Sequence, residues 1–307
     1  NAASLTTDAG GTTQLNGNIT TTGVQTFGDA VQLNSAITLA TTNSAVLFGS
    51  SINSETSEIN VLTLNTGSGD ITFTGAVGNT TALGALTANS TGTTLFSSTV
   101  NAASLTTDAG GTTQLNGNIT TTGIQNFGDA LVLTADVIIN SGVGGVQFNS
   151  TVDGQTIARN LEVISSGTVV FGDTLGASGL INNLKVTSDT INLSGTTSDL
   201  VSQGNIILIT DTLNTNGADL EGQGELTIAP LTPNSNFSPT LGTIRDGFNR
   251  ITIGNDTTGT VNLSGFTSSD SVIVTGANIN LQGAIDGAFD LTLNSSGLTD
   301  IQGAIGS

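Results

Sequence analysis

The apolar positions of this chain fall in short alternating runs. Ile71-Thr72-Phe73, Val146-Gln147-Phe148 and Ile251-Thr252-Ile253 each set two large apolar side chains about one outward residue. Alternation with a period of two places every second side chain on one face of a β-strand. The runs end on Leu or Phe, followed by small polar residues and usually another Val, Ile or Leu. FGSSI at Phe48, FTGAV at Phe73, FSSTV at Phe96, FNSTV at Phe148 and FGDTL at Phe171 show the pattern; LNGNI at Leu15 and Leu115, LSGTT at Leu193, LQGAI at Leu281 and IQGAI at Ile301 are variants. Gly, Asn, Asp and Ser suit tight turns, so the pattern predicts short strands joined by corners.

Anchors from Leu15 to Leu193, taken one per turn, fall 19 to 33 residues apart. That spacing predicts an all-β chain wound as a parallel β-helix, a β-solenoid with coils of roughly 20–33 residues, the longest carrying extra loop. Stacked anchors then form internal ladders, Phe48, Phe73 and Phe96 in one series and Phe148 with Phe171 in another. At about 22 residues per coil and roughly 4.8 Å between strands, the chain makes about 14 coils in a rod of about 65 Å. In FGDAV at Phe27, FGDAL at Phe127 and FGDTL at Phe171 an Asp stands two places after Phe. A continuing strand would aim it at the core, where an unpaired charge costs several kcal/mol. A bend that turns it outward is the expectation.

Longer-range repetition is also present. Residues 1–30 return at 101–130 with two changes, Val24→Ile124 and Thr26→Asn126. A fixed long period marks a repeat architecture. The copies stay in step through Asn60 and Asn160, then VLTLNTGSGDITF becomes the shorter LEVISSGTVVF. Loop-length change of that kind is thermodynamically mild. The regular pattern lapses later, where Pro230, Pro233 and Pro239 stand with Arg245 and Arg250. Proline cannot donate to a ladder. The expected organisation is therefore regular coils over 1–227, a Pro- and Arg-containing insertion over 228–250 with a helical turn near Thr243–Phe248, and resumed coils over 251–307. Asn1 and Ser307 both read as mid-repeat positions, which predicts a segment of a longer array, without native caps.

Composition narrows the chemistry. The chain has no Cys, His, Met, Trp or Tyr, four Lys plus Arg, 23 Asp plus Glu, and a formal charge of −19. Thr, Ser, Asn and Gly with recurring β-branched residues suit strands rather than helices or disorder. Nucleic acid and anionic membrane surfaces need basic patches that Arg159, Lys185, Arg245 and Arg250 do not supply. No apolar run approaches the roughly 18 residues of a spanning helix.

The LNGNI-type and FGDAV-type units, alternating with LTT, LTL and ITIG strands, resemble the filamentous-haemagglutinin-like exoproteins of Gram-negative bacteria and cyanobacteria. LTIAPLTPNSNF…IRDGFNRITIG resembles an interruption that recurs in very large members of that group. The resemblance covers essentially the whole chain as a matter of repeat style and composition. It implies a right-handed parallel β-helix, export to the extracellular cell surface, and a role in adhesion or surface architecture. It carries over no catalytic residues.

The remaining chemistry is thin. Nucleophilic triads, thiol catalysis and imidazole or thiolate metal sites lack their side chains. Paired-carboxylate cleavage of polysaccharides stays open as the alternative function, since Asp and Glu suffice. Arg245, Asp246 and Arg250 form the one mixed-charge cluster, read as local ion pairing against a site. Calcium takes oxygen ligands, so Asp29, Asp129 and Asp173 are candidates for weak surface Ca²⁺; Asp70 in GSGD is a lone echo of calcium-binding repeats. Thr72-Phe73-Thr74 meets Leu47 and Gly49 in one neighbouring coil and Leu95 and Ser97 in the other, so no Thr ladder for ice forms. No catalytic, cofactor or metal site is assigned. The expected partners are copies of the chain, end to end or within a filament, with surface glycans or other cells.

Overall fold

A computed structural model describes residues 2–194, 199–241, 243–245 and 247–306. Among them there is no helix. The chain winds as a parallel β-solenoid of about 14 turns, with successive turns about 21 residues apart. The short strands follow from the alternation: inward residues are buried and outward ones are not, as in Ile71–Phe73 and Val146–Phe148. By its contacts the chain divides into two compact units, Asn1–Ser150 and Thr151–Ser307.

In the first unit every coil contributes one strand position to each of three parallel rows. The first row runs Leu5–Thr7, Gln25–Phe27, Val46–Phe48, Ile71–Phe73, Thr93–Phe96, Thr112–Leu115 and Ala130–Leu133. The second holds Thr12–Leu15, Ala30–Leu33 and Ile52–Ser54, continues through single bridges at Val77 and Val100, and reaches Ile119–Thr121 and Val137–Ser141. The third holds Ile19–Thr20, Ile37–Ala40, Leu62–Gly67, Leu83–Ser90, Leu105–Thr107 within Val100–Thr107, Gln125–Phe127 and Val146–Phe148.

Two Phe ladders occupy different rows. Phe27, Phe48, Phe73 and Phe96 stack in the first, with ring centroids 4.9 to 5.2 Å apart and planes within 10°. Phe127 and Phe148 stack at 5.5 Å in the third. Burial of each ring contributes roughly 1.5–3 kcal/mol. The expected ladder Phe48–Phe73–Phe96 is present and gains Phe27 as a fourth ring. The alignment of Leu15 with these anchors is corrected: Leu15 lies in the second row beside Leu33. The wide interval from Leu15 to Phe48 is thus more than one ordinary coil, not one coil with a long loop. The same holds for Leu115, beside Phe96 in the first row, and Phe148 in the third.

The second unit repeats the construction. Its longest row joins Arg159–Ser165, Ile181–Thr187, Ile206–Ile209, Glu225–Ala229, Arg250–Gly254, Val272–Gly276 and Leu291–Ser295. Ile228 and Arg250 therefore lie in strands that pair directly with each other. Among the described residues between them, single bridges join Thr240 to Asn214, Ile244 to Leu220 and Phe237 to Val261. Pro230, Pro233 and Pro239 offer no backbone donor to a ladder, and single bridges of the kind also seen at Val77 stand here in place of strands. Phe237, Ile244 and Phe248 are buried all the same. Of the expected helical turn, Ile244 is in a bridge and Asp246 lies outside the described residues, as do 195–198, which the sequence pattern reads as the small-residue stretch after Leu193.

Candidate functional site

The Asp residues of the Phe-Gly-Asp corners take a different place from the one expected. Asp29 and Asp129 are buried, at 8% and 2% exposure. Each carboxylate is clasped by the preceding coil. The backbone N–H of Gly11 donates to Asp29 Oδ1 at 2.6 Å, and that of Gly111 to Asp129 Oδ1 at 2.8 Å. The hydroxyls of Thr13 and Thr113 donate to the second oxygens at 3.0 and 2.9 Å. The corner does bend the Asp away from the Phe core, but it tucks the carboxylate against the neighbouring turn instead of into water. Two charge-assisted hydrogen bonds offset the desolvation. Burial pushes the Asp129 carboxyl above its usual 3.8, opposed by the Gly111 and Thr113 hydrogen bonds and helped by the charge of Asp108. Asp173, in the third such corner, is half-buried and accepts from the Thr174 N–H at 2.8 Å. Asp70 is exposed and accepts from the Thr93 N–H at 2.7 Å.

Alternation alone would have revealed a second internal polar group. Gln25-Thr26-Phe27 sets Gln25 on the same side as Phe27, and Gln125 stands likewise beside Phe127; both are fully buried. Their amides donate to the Thr21 and Thr121 hydroxyl oxygens at 3.2 and 3.1 Å, and to the Ala40 and Asn140 carbonyls at 2.9 and 2.7 Å.

Most of the basic residues are tied to carboxylates one coil away. Arg245 bonds Asp219 through Nε at 2.6 Å and lies 3.7 Å from Glu221. Arg250 meets Glu225 at 2.8 Å, and Lys185 meets Glu162 at 2.8 Å. The structure thus assigns Arg245 and Arg250 to separate partners, while Asp246 lies outside the described residues. Among the described residues no group of three or more His, Cys, Asp or Glu is gathered around a point where a metal could sit.

Among the described residues, open depressions mark the surface. One of about 560 Å³ is lined by Ser178, Gln203, Gln223 and Gly247, with Glu221 as its carboxylate. Another, of about 710 Å³, has Asn234, Thr258, Asn294 and Ser295 about Asp256. A third, of about 250 Å³, is lined by Thr12, Gln32, Asn53 and Thr81 with no carboxylate. Glycoside cleavage by the usual route uses two carboxyl groups roughly 5–10 Å apart across the scissile bond, and none of these depressions is lined by two.

The outer surface is instead organised by amide ladders. Asn89 donates to Asn65 at 2.7 Å, Asn149 to Asn126 at 2.5 Å, Asn214 to Asn192 at 2.7 Å and Asn280 to Asn262 at 2.8 Å. In each pair one amide gives an N–H and the other an oxygen, and further donors and lone pairs are left for water or a partner. No family model matches this chain, and no curated protein or solved structure matches it significantly.

Proposed function

We propose that this chain is a structural or adhesive segment of an extracellular protein of the filamentous-haemagglutinin-like kind, in which a β-helical rod supplies length and a repetitive polar surface. The observation that carries the reading is the exterior itself: hydroxyls and paired amides recur along it, while most of the large apolar residues are spent on the interior. Such a surface offers many equivalent hydrogen-bonding positions and little to focus a reaction. Surface glycans and other cells are the partners it suits, and association of chains end to end or within a filament completes the reading, because the open edge of a parallel row pairs readily with another.

The test is a binding and turnover comparison on the same purified chain. Retention on immobilised neutral and acidic glycans or on intact cells, without release of reducing ends from polysaccharide, is expected. Polysaccharide cleavage that disappears when a single Asp or Glu is replaced would establish the carboxylate enzyme instead. Light scattering over a concentration series is expected to show association; a strict monomer throughout argues against the filament.

A further inference from the structure

The two copies of the thirty-residue sequence do not stand one above the other. Leu5–Thr7 of the first copy belongs to the first row, whereas its counterpart Leu105–Thr107 belongs to the third. Thr12–Leu15 lies in the second row and Thr112–Leu115 in the first. Ile19–Thr20 lies in the third and Ile119–Thr121 in the second. The displacement is the same at every element. It arises from a count. The twelve strands from Leu5–Thr7 to Thr93–Phe96, the bridge at Val77 and the head of Val100–Thr107 make fourteen strand positions before Leu105. Fourteen is not a multiple of three.

The copies nonetheless keep the same contacts. The clasps on Asp29 and Asp129 match, and so do the Gln25 and Gln125 networks. Asn18 accepts from the Thr38 N–H at 2.8 Å and Asn118 from the Ile138 N–H at 2.9 Å. Each of these contacts reaches no further than one coil along the chain, so none depends on which row the element occupies. A row number is invisible to a contact made one turn away.

We infer that the hundred-residue unit is a rotating cassette of four and two-thirds turns, which presents one outward side-chain pattern at azimuths a third of a revolution apart. Position by position the directions differ: Thr6 looks out from the first row and Thr106 from the third, Thr20 from the third and Thr120 from the second. A partner that reads this pattern meets it on two sides of the unit Asn1–Ser150 rather than twice on one side. Such a display suits bridging between separate partners, and gives no added avidity on one flat surface. The inference concerns the winding of the coil and stands apart from the proposed function; loss of glycan or cell binding would leave it untouched.

Spin-label distances test it directly. The chain has no Cys, so each double variant carries two labels only. Thr6→Cys with Gln114→Cys joins positions of unrelated sequence that share the first row, five coils apart through Thr26, Leu47, Thr72 and Leu95. At roughly 4.8 Å per coil they are about 24 Å apart with parallel labels. Thr6→Cys with Thr106→Cys joins equivalent positions in different rows. There the axial rise is about 22 Å, and labels projecting from two different rows are offset by about 20 Å across the section, giving about 30 Å. The equivalent pair is therefore expected to be the more distant. A Thr6–Thr106 distance equal to or shorter than the Thr6–Gln114 distance would overturn the rotation. Thr26→Cys with Asn126→Cys or with Gln114→Cys repeats the comparison from another coil, and is expected to give the same order. Circular dichroism on each variant keeps an unfolded sample from being read as a distance.

Discussion

At the scale of single residues, direction matters more than identity. Phe73 is 1% exposed, with Phe48 on one side and Phe96 on the other, while Thr72 in the same strand faces out. Phe73→Asp removes a ring from the stack and leaves a charge there. Phe→Ala alone costs about 3–5 kcal/mol, and the unpaired charge adds to it. Thr72→Asp is expected to stay within about 0.5 kcal/mol. Hydrogen exchange should show lost protection around Phe73 only for the first variant, with coils beyond Leu180 unaffected because coils couple to neighbours; equal damage from both would contradict the register. Asp129 gives a second case. Its folded carboxyl titrates above the unfolded value of 3.8, so the folded state binds the proton more readily. The resulting penalty is absent below 3.8 and complete above the folded value, and stability falls as pH rises through that window. Denaturation of the parent chain and of Asp129→Asn across pH is expected to show the parent losing ground as pH rises; the opposite slope would refute the assignment.

At the scale of elements, the stacking of one corner on the next can be tested. A Cβ at Gly111 would come within 2.4 Å of the Gly92 carbonyl oxygen and 2.5 Å of that of Ser90. Backbone cannot step aside as a side chain can. Gly111→Ala is therefore expected to cost about 1–3 kcal/mol, read by the denaturant midpoint of the variant against the parent. An unchanged midpoint would mean that the stacking of Gly111 on 90–92 is wrong. The strands and corners themselves were legible in the sequence, because alternation and turn residues act within a few positions. The burial of Asp29 and Asp129 was not, since it depends on Gly11, Thr13, Gly111 and Thr113 arriving from the preceding coil. The recurrence of DAGGTT with FGDA in both copies was the available signal.

At the scale of the whole molecule, the cassette makes a deletion permissible. Joining residue 30 to residue 131 removes one hundred residues and sets Leu131–Leu133 beside Thr13–Leu15. That is the pairing it already makes with Thr113–Leu115. Val137–Ser141 and Val146–Phe148 likewise meet first-copy equivalents of their present neighbours. The shortened chain is expected to fold with undiminished strand content per residue and a cooperative melt, measured by circular dichroism. An aggregated or unfolded product would show that the copies are not interchangeable.

The sequence by itself determined the short strands and corners of the regular coils, which residues within a strand face inward, and the Phe48–Phe73–Phe96 ladder. All of these rest on a period of two and on turn chemistry, which operate locally. Only the tertiary structure decided which row each anchor joins, that Leu15 pairs with Leu33, and that Asp29 and Asp129 are enclosed. A row is set by the number of corners accumulated along the chain, and successive anchors can skip rows without any change in local pattern. Closing a turn about 21 residues long is a non-local event, and its register is fixed only when stacked coils bury their inward faces together.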